Sequence, residues 1–454
     1  MKLSYLTSIG LAVFLSACVT GPESVAPELP TPDNFENSLT LNQTGTPDMP
    51  WWEGFSDPIL SNLIKIGLDR NLDIDVAIAN LARTRAVARA FKSDLFPTFD
   101  AFVDTQMSSI LTGGVEADLS TTVGGAFAFS PDITGRNRRA LQGADARFRA
   151  AAFDLADIRR LTASAIAQQY ILLRRSGAAI VLQDTSLELQ RRTVEITTAR
   201  FNAGISPALD VDRATADLAR TMAQSSLLVA ERRNAEYALS VLTGKTPESG
   251  LLGLAEDDII PTYENGYALG LPADLLRQRP DIRAAELNLI AEIADIGVQE
   301  ADLYPSLNLP GTISAGRTTA DNGLNAVTLG IAALLDIPLF DAGRREAEVD
   351  IERAEAEAAL ALYKSSLLDA IGETETALVR IEALKEQKQE LEKAVQSNES
   401  AFNQLNALYR EGLADFINVL DSQRSLISSR EAIVTVNANL ALAHANLQTA
   451  LGRR

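Results

Sequence analysis

The sequence predicts an α+β membrane fold built from two tandem copies of one unit, each joining two amphipathic strands to a very long helix. Three observations predict it. Short motifs recur at a fixed spacing, paired segments alternate apolar and polar residues as strands do, and long proline-free tracts read as unbroken helix.

The repeat sets the frame. Asp73-Ile74 returns as Asp281-Ile282, and Asp94-Leu95-Phe96-Pro97 as Asp302-Leu303-Tyr304-Pro305. Gly135-Arg136 returns as Gly343-Arg344, Gly204 as Gly412, Val211 as Val419 and Gly244 as Gly452, every pair 208 residues apart. A spacing kept without one insertion points to two units of the same rigid length. Each unit reads as helix, two strands, very long helix, turn, helix. The expected division is 1–17 signal peptide, 18–56 extended segment, 57–244 first copy, 245–271 linker and 272–454 second copy.

No proline falls between Pro131 and Pro207, and none follows Pro338. Residues 136–200 as one helix would span about 98 Å, longer than a compact core can cover. Leu384, Leu391, Val395, Phe402, Leu405 and Tyr409 recur at the seam spacing of supercoiled helices. The same tract fits a plain helical bundle.

The strands are expected within 97–131 and 305–338. Leu119, Thr121, Val123, Gly125, Phe127 and Phe129 alternate with Ser120, Thr122, Gly124, Ala126, Ala128 and Ser130. In the second copy Val327, Leu329, Ile331, Ala333, Leu335 and Ile337 alternate with smaller or more polar neighbours. Phe99, Ala101 and Val103 oppose Asp100 and Asp104, with Phe102 out of place on the polar side. One apolar and one polar face suits a transmembrane barrel, and equally an amphipathic sheet on a soluble core. If the strands lie in lipid, four cannot close a barrel whose smallest known forms use eight, so other chains must complete it.

Composition narrows the classes. With 41 Lys and Arg against 60 Asp and Glu the formal charge is −19, which repels nucleic acid. The one cysteine and one histidine exclude a disulfide framework and a Cys-rich metal site, and His444 reads as a helix packing residue. No cofactor is expected. No nucleophile, acid–base or metal constellation is apparent, so the chain does not read as an enzyme. Thr243-Gly244-Lys245-Thr246 ends like a phosphate loop but has Leu239 where its first glycine belongs.

Lys2 and the apolar run from Leu6 to Leu15 form a signal peptide too short to span a bilayer. It ends Leu15-Ser16-Ala17-Cys18, a lipobox, so Cys18 is the expected lipidation site.

The chain resembles the outer-membrane efflux protein family, specifically its NodT-type lipoproteins of resistance-nodulation-division pumps. Four segments carry the resemblance: Trp51-Trp52-Glu53-Gly54-Phe55-Ser56-Asp57-Pro58, Arg279-Pro280-Asp281-Ile282-Arg283, Pro338-Leu339-Phe340-Asp341-Ala342-Gly343-Arg344, and Gly412-Leu413-Ala414-Asp415-Phe416. The resemblance implies a TolC-like homotrimer in which three chains of four strands make a twelve-stranded barrel in outer-membrane lipid, continued by a periplasmic α-helical barrel. Val19 after the lipidated cysteine resembles the outer-membrane address. It further implies a passive exit duct for drugs or other small molecules, with a periplasmic adaptor (membrane fusion) protein and an inner-membrane pump as partners.

Two hairpin turns, near 201–207 and 410–415, would form the periplasmic tip. Gly204, Ser206, Pro207, Gly412 and Leu413 would dock the adaptor, with glycine ending one helix and Pro207 opening the next. Asp415, Asp421, Asp210 and Asp212 follow the turns. They suit either a ring of lumen charges at a gate or ordinary capping of helix N-termini. The alternatives are a type I protein-secretion duct, which shares the fold, and an envelope-anchored coiled-coil scaffold.

Overall fold

A computed structural model describes residues 20–27, 29–36, 50–110, 116–249, 258–264, 272–318 and 325–453. Cys18 and the signal peptide lie outside the described residues. A short 3-10 turn, Trp51–Phe55, leads to α1 (Pro58–Arg70) and α2 (Leu72–Ser93). Then come β1 (Thr98–Ile110), β2 (Glu116–Phe129), α3 (Arg136–Asn202) and α4 (Ala208–Leu242). The second half contains α5 (Pro272–Gln278), α6 (Pro280–Ala301), β3 (Ser306–Thr318), β4 (Asn325–Ile331), β5 (Leu334–Asp336), α7 (Arg344–Arg410) and α8 (Phe416–Ala450).

Four elements of the first half have partners of equal length in the second: 22 residues in α2 and α6, 13 in β1 and β3, 67 in α3 and α7, and 35 in α4 and α8. Each pair starts 208 residues apart. The single opening helix expected in each copy is instead two. In the first copy the chain breaks at Asn71, whose Oδ1 accepts the N–H groups of Asp73 at 2.9 Å and Ile74 at 3.3 Å. An extended Asn that satisfies the first amides of the next helix starts α2 afresh.

The described residues fall into two compact units, each drawing on both halves: those within 1–29, 79–154 and 283–366, and those within 30–78, 155–282 and 367–454. The first unit holds the sheet, antiparallel in the order β1-β2-β3-β4. β4 and β5 pair with β3 in one register, Gly311 opposite Ile331 and Ser306 opposite Asp336, so the expected single strand is interrupted only at residues 332 and 333. That register puts the gap opposite Pro310, which has no N–H to give the ladder. Its carbonyl still accepts Ala332 N–H at 3.0 Å.

Pairing aligns one face across all strands. Val103, Val123 and Ala315 stand in a row with Val327, and beside them Ala101, Gly125, Ile313 and Leu329. This face is open: Val103 is 71% exposed and Leu329 is 70% exposed. The opposite face carries Asp104, Thr122, Gly316 and Ser314. Phe102, out of place in its own strand, lies over Gly124 directly across, where an added Cβ would come within 2.7 Å of its ring. Aromatic cover of a cross-strand glycine needs no change of face. β1 and β4 each have one neighbour only among the described residues, leaving both sheet edges unpaired.

In the second unit Leu60 and Ile64 of α1 pack with Ile166, Tyr170 and Ile171 of α3 and Leu239 of α4. Leu378, Ile381 and Leu384 of α7 pack with Val436 and Leu447 of α8. A third cluster, Phe402, Tyr409, Phe416, Val419 and Leu420, lies by the α7–α8 turn and uses two of the expected seam positions. Among the described residues no helix is long and apolar enough to cross a membrane.

Candidate functional site

Both hairpin turns end their first helix in the same way. Gly204 has φ 73° and Gly412 φ 78°. Gly204 N–H reaches the Phe201 carbonyl at 2.9 Å and Ile205 N–H the Arg200 carbonyl at 2.9 Å. Gly412 and Leu413 repeat this toward Tyr409 at 3.0 Å and Leu408 at 2.9 Å. These are the two crossed bonds of a Schellman stop, which needs a left-handed residue at the glycine. An added Cβ would meet nothing within 4 Å at either glycine, so backbone conformation and not space requires glycine there.

Pro207 sits one place earlier than expected, as the N-cap of α4 before its first helical residue, Ala208. Ser206 Oγ is enclosed with no hydrogen-bond partner among the described residues. Leu413 is 75% exposed, and Ile205, which holds the matching place in the first copy, is 64% exposed. Sequence reasoning missed Ile205, although the 208-residue spacing from Leu413 points to it.

The four aspartates divide. Asp415 occupies the N-cap of α8, but its side chain makes no capping bond and is exposed. Asp212 is exposed too, and Asp421 is exposed with Arg424 Nη1 3.8 Å away. Asp210 is half-buried beside Tyr409. Burial, reinforced by the Asp210 charge and opposed by Arg200, pushes the Tyr409 phenol above its ordinary value. Arg200 lies over the Tyr409 ring at 4.6 Å and donates to its carbonyl at 3.1 Å, tying α3 to α7.

Asp217 was not singled out in the sequence. Only 4% exposed, it accepts from Gln190 Nε2 at 3.1 Å, Arg424 Nε at 2.9 Å and Arg220 Nη1 at 3.4 Å. One carboxylate thereby joins α3, α4 and α8. Its signal was positional: it follows buried Ala214 by one helical turn, a core-facing place.

The Arg279-Pro280-Asp281 segment makes a junction between helix ends. Arg279 forks onto Asp281 at 3.1 and 2.6 Å and donates to Glu373 at 2.8 Å and the Ala450 carbonyl at 2.8 Å. Arg160 donates to the Thr449 carbonyl alongside. Two cations thus satisfy the last carbonyls of α8. Desolvation opposes it, but the Arg279 guanidinium keeps Asp281 below the usual carboxylate range. At the matching place in the first copy Asn71 Nδ2 donates to the Leu242 carbonyl at 3.1 Å. The phosphate-loop-like segment is another such stop: Gly244 N–H goes to Val241 at 3.0 Å and Lys245 N–H to Ser240 at 2.8 Å, so both amides are occupied.

An amphipathic sheet with two open edges, joined to paired 67-residue helices that end in glycine turns, is the architecture of TolC-like outer-membrane channel proteins. The sequence model of the outer membrane efflux protein family matches residues 63–245 and again 271–453, and the chain belongs to that family. It is an outer-membrane protein that extends into the periplasm. Nodulation protein T of Rhizobium leguminosarum bv. trifolii is 28% identical over 462 residues, covering 100% of this chain and 98% of that protein. The pyoverdine export outer membrane protein OpmQ of Pseudomonas aeruginosa is 26% identical, covering 100% and 97%. The solved outer-membrane channel OprN superposes with a TM-score of 0.84 at 29% identity, over 95% of this chain and 99% of that one.

Proposed function

We propose that the chain is the outer-membrane exit duct of a tripartite resistance-nodulation-division efflux pump, passively passing drugs or other small molecules from the periplasm to the exterior. The observation that carries this reading is the sheet: a mainly apolar face, crossed by one polar row of Thr105, Thr121 and Arg317, and two edges unpaired among the described residues. In lipid an open edge leaves backbone groups unsatisfied, so neighbouring chains must pair with β1 and β4. Three chains of four strands, counting β4 and β5 as one, would close a twelve-stranded barrel. The chain would be two copies of one unit, with Cys18 acylated as a second anchor.

In this reading the exposed pair Ile205 and Leu413, with Gly204, Ser206, Pro207 and Gly412, meets the periplasmic adaptor, and the inner-membrane pump delivers the substrate. Asp415, Asp421, Asp210 and Asp212 would face the lumen near its narrow end. A duct of this kind needs no catalysis. The test is the purified full-length protein in detergent and in planar bilayers. Three copies per particle and discrete single-channel currents are expected. Monomers, or particles that never conduct, would sink the reading in favour of a structural scaffold.

A further inference from the structure

Just behind Cys18 the chain is gripped by the unit that holds the sheet. Thr20 donates its backbone N–H and its hydroxyl to the Thr134 carbonyl at 3.2 and 3.1 Å, and the hydroxyl also reaches the Gly297 carbonyl at 3.3 Å. From the other side Arg139, in the first turn of α3, gives Nε to the Thr20 carbonyl at 2.9 Å, Nη2 to the Gly21 carbonyl at 3.0 Å and Nη1 to Ser24 Oγ at 3.2 Å. Gln142 Oε1 accepts at 3.0 Å. Arg139 is only 7% exposed, and each of these partners is a neutral oxygen. A guanidinium is costly to bury without a carboxylate, so it serves here to bind an extended backbone.

The approach is close enough to require two glycines. A Cβ on Gly21, whose φ is +88°, would fall 2.5 Å from Gly297 Cα. A Cβ on Gly297 would fall 3.0 Å from both Arg139 Nε and the Thr20 carbonyl. The 208-residue spacing supplies an internal control, since Ala347 and Arg89 stand where Arg139 and Gly297 stand in the other copy. The helices and strands common to both halves therefore do not need these residues.

We propose that Arg139, Gly297 and Thr134 are a receptor for the chain's own N-terminal segment, holding the acylated Cys18 at the end of the sheet where β2 and β3 meet their helices. This rests on the lipidation reading. Only Val19 separates Cys18 from Thr20, at most about 7 Å of chain. The acyl chains are thereby kept beside one rim of the sheet and enter the leaflet that this rim contacts.

The experiment uses the full-length protein in outer-membrane vesicles, labelled with palmitate and digested with a glutamyl endopeptidase. Cleavage after exposed Glu23 frees the acylated peptide, identified by mass. Arg139→Ala and Gly297→Ala should each raise that cleavage rate at least about tenfold, as several hydrogen bonds are lost to local opening. Gly297→Ala improves helix propensity in α6, so its thermal midpoint should hold while the grip is lost. Unchanged cleavage in both variants, or a wild type cut as fast as they are, overturns the receptor. A wild type without palmitate overturns lipidation and the anchoring role, while the cleavage masses still report docking.

Discussion

Arg424 of α8 and Asp217 of α4 form an ion pair of 2.9 Å that joins the second helices of the two hairpins. The carboxylate is buried while the Arg424 side chain is 43% exposed, and that asymmetry decides what each substitution does. Asp217→Asn leaves an arginine that can turn to water, so the loss should be about 1 kcal/mol. Arg424→Ala leaves a buried carboxylate with Gln190 and the longer Arg220 contact, so it should cost more, about 2 kcal/mol. The double variant should cost less than the two single losses added, as read from denaturation midpoints; strict additivity would show that the pair is not coupled. If the pair holds the two hairpins together at rest, both single variants should also raise resting conductance in planar bilayers.

The tip glycines give a second expectation. Because nothing crowds an added Cβ at Gly204 or Gly412, the penalty for alanine is backbone strain alone, about 1 kcal/mol each, and more for valine. Gly412→Val should therefore weaken adaptor cross-linking while the oligomer still assembles. Cross-linking at the wild-type level would count against a docking role for that turn.

Much of this was legible because the repeat constrains it. The spacing from Asp94 to Asp302 and from Gly204 to Gly412 runs parallel to the element starts, which also lie 208 residues apart. What stayed hidden depends on residues distant in sequence. Phe102 breaks the alternation of its own strand, and Gly124 explains it only once the strands pair. The interruption after Ile331 depends on Pro310, on the neighbouring strand. Asp217 reads as one more surface acid until Arg424 meets it from the other hairpin. The Asn71 break was readable locally, as an Asn two residues before Asp73, but helix periodicity continues through it.

His444 gives a pH dependence. It is buried, stacked on Tyr263 at 5.2 Å, and desolvation with the nearby Lys385 charge pushes its pKa from 6.5 down to about 3. The native state therefore refuses a proton that the unfolded chain accepts. The contribution to stability is fully present above the unfolded value of 6.5 and is lost as pH falls toward about 3. The slope is at most about 1.4 kcal/mol per pH unit, so His444→Phe should lose about 1–2 kcal/mol less than wild type between pH 7 and pH 5. Parallel stability curves for the two proteins would show that His444 takes up its proton in the folded state.

Asp415 separates capping from gating. A working N-cap carboxylate would cost about 1 kcal/mol to remove, but the Asp415 side chain makes no capping bond. Asp415→Ala should therefore leave stability within about 0.5 kcal/mol of wild type, read as an almost unchanged thermal midpoint. In a trimer the same residue would recur three times around the axis, and a ring of carboxylates facing the lumen favours cations. Single-channel recordings of Asp415→Ala in asymmetric salt should then show reduced cation preference, and Asp421→Ala a smaller reduction, because Arg424 lies 3.8 Å from Asp421 and offsets part of its charge. A reversal potential unchanged in both variants, with stability also unchanged, would leave these two aspartates as solvated surface and move the selective ring to Asp210 and Asp212, whose alanine variants the same recording would test.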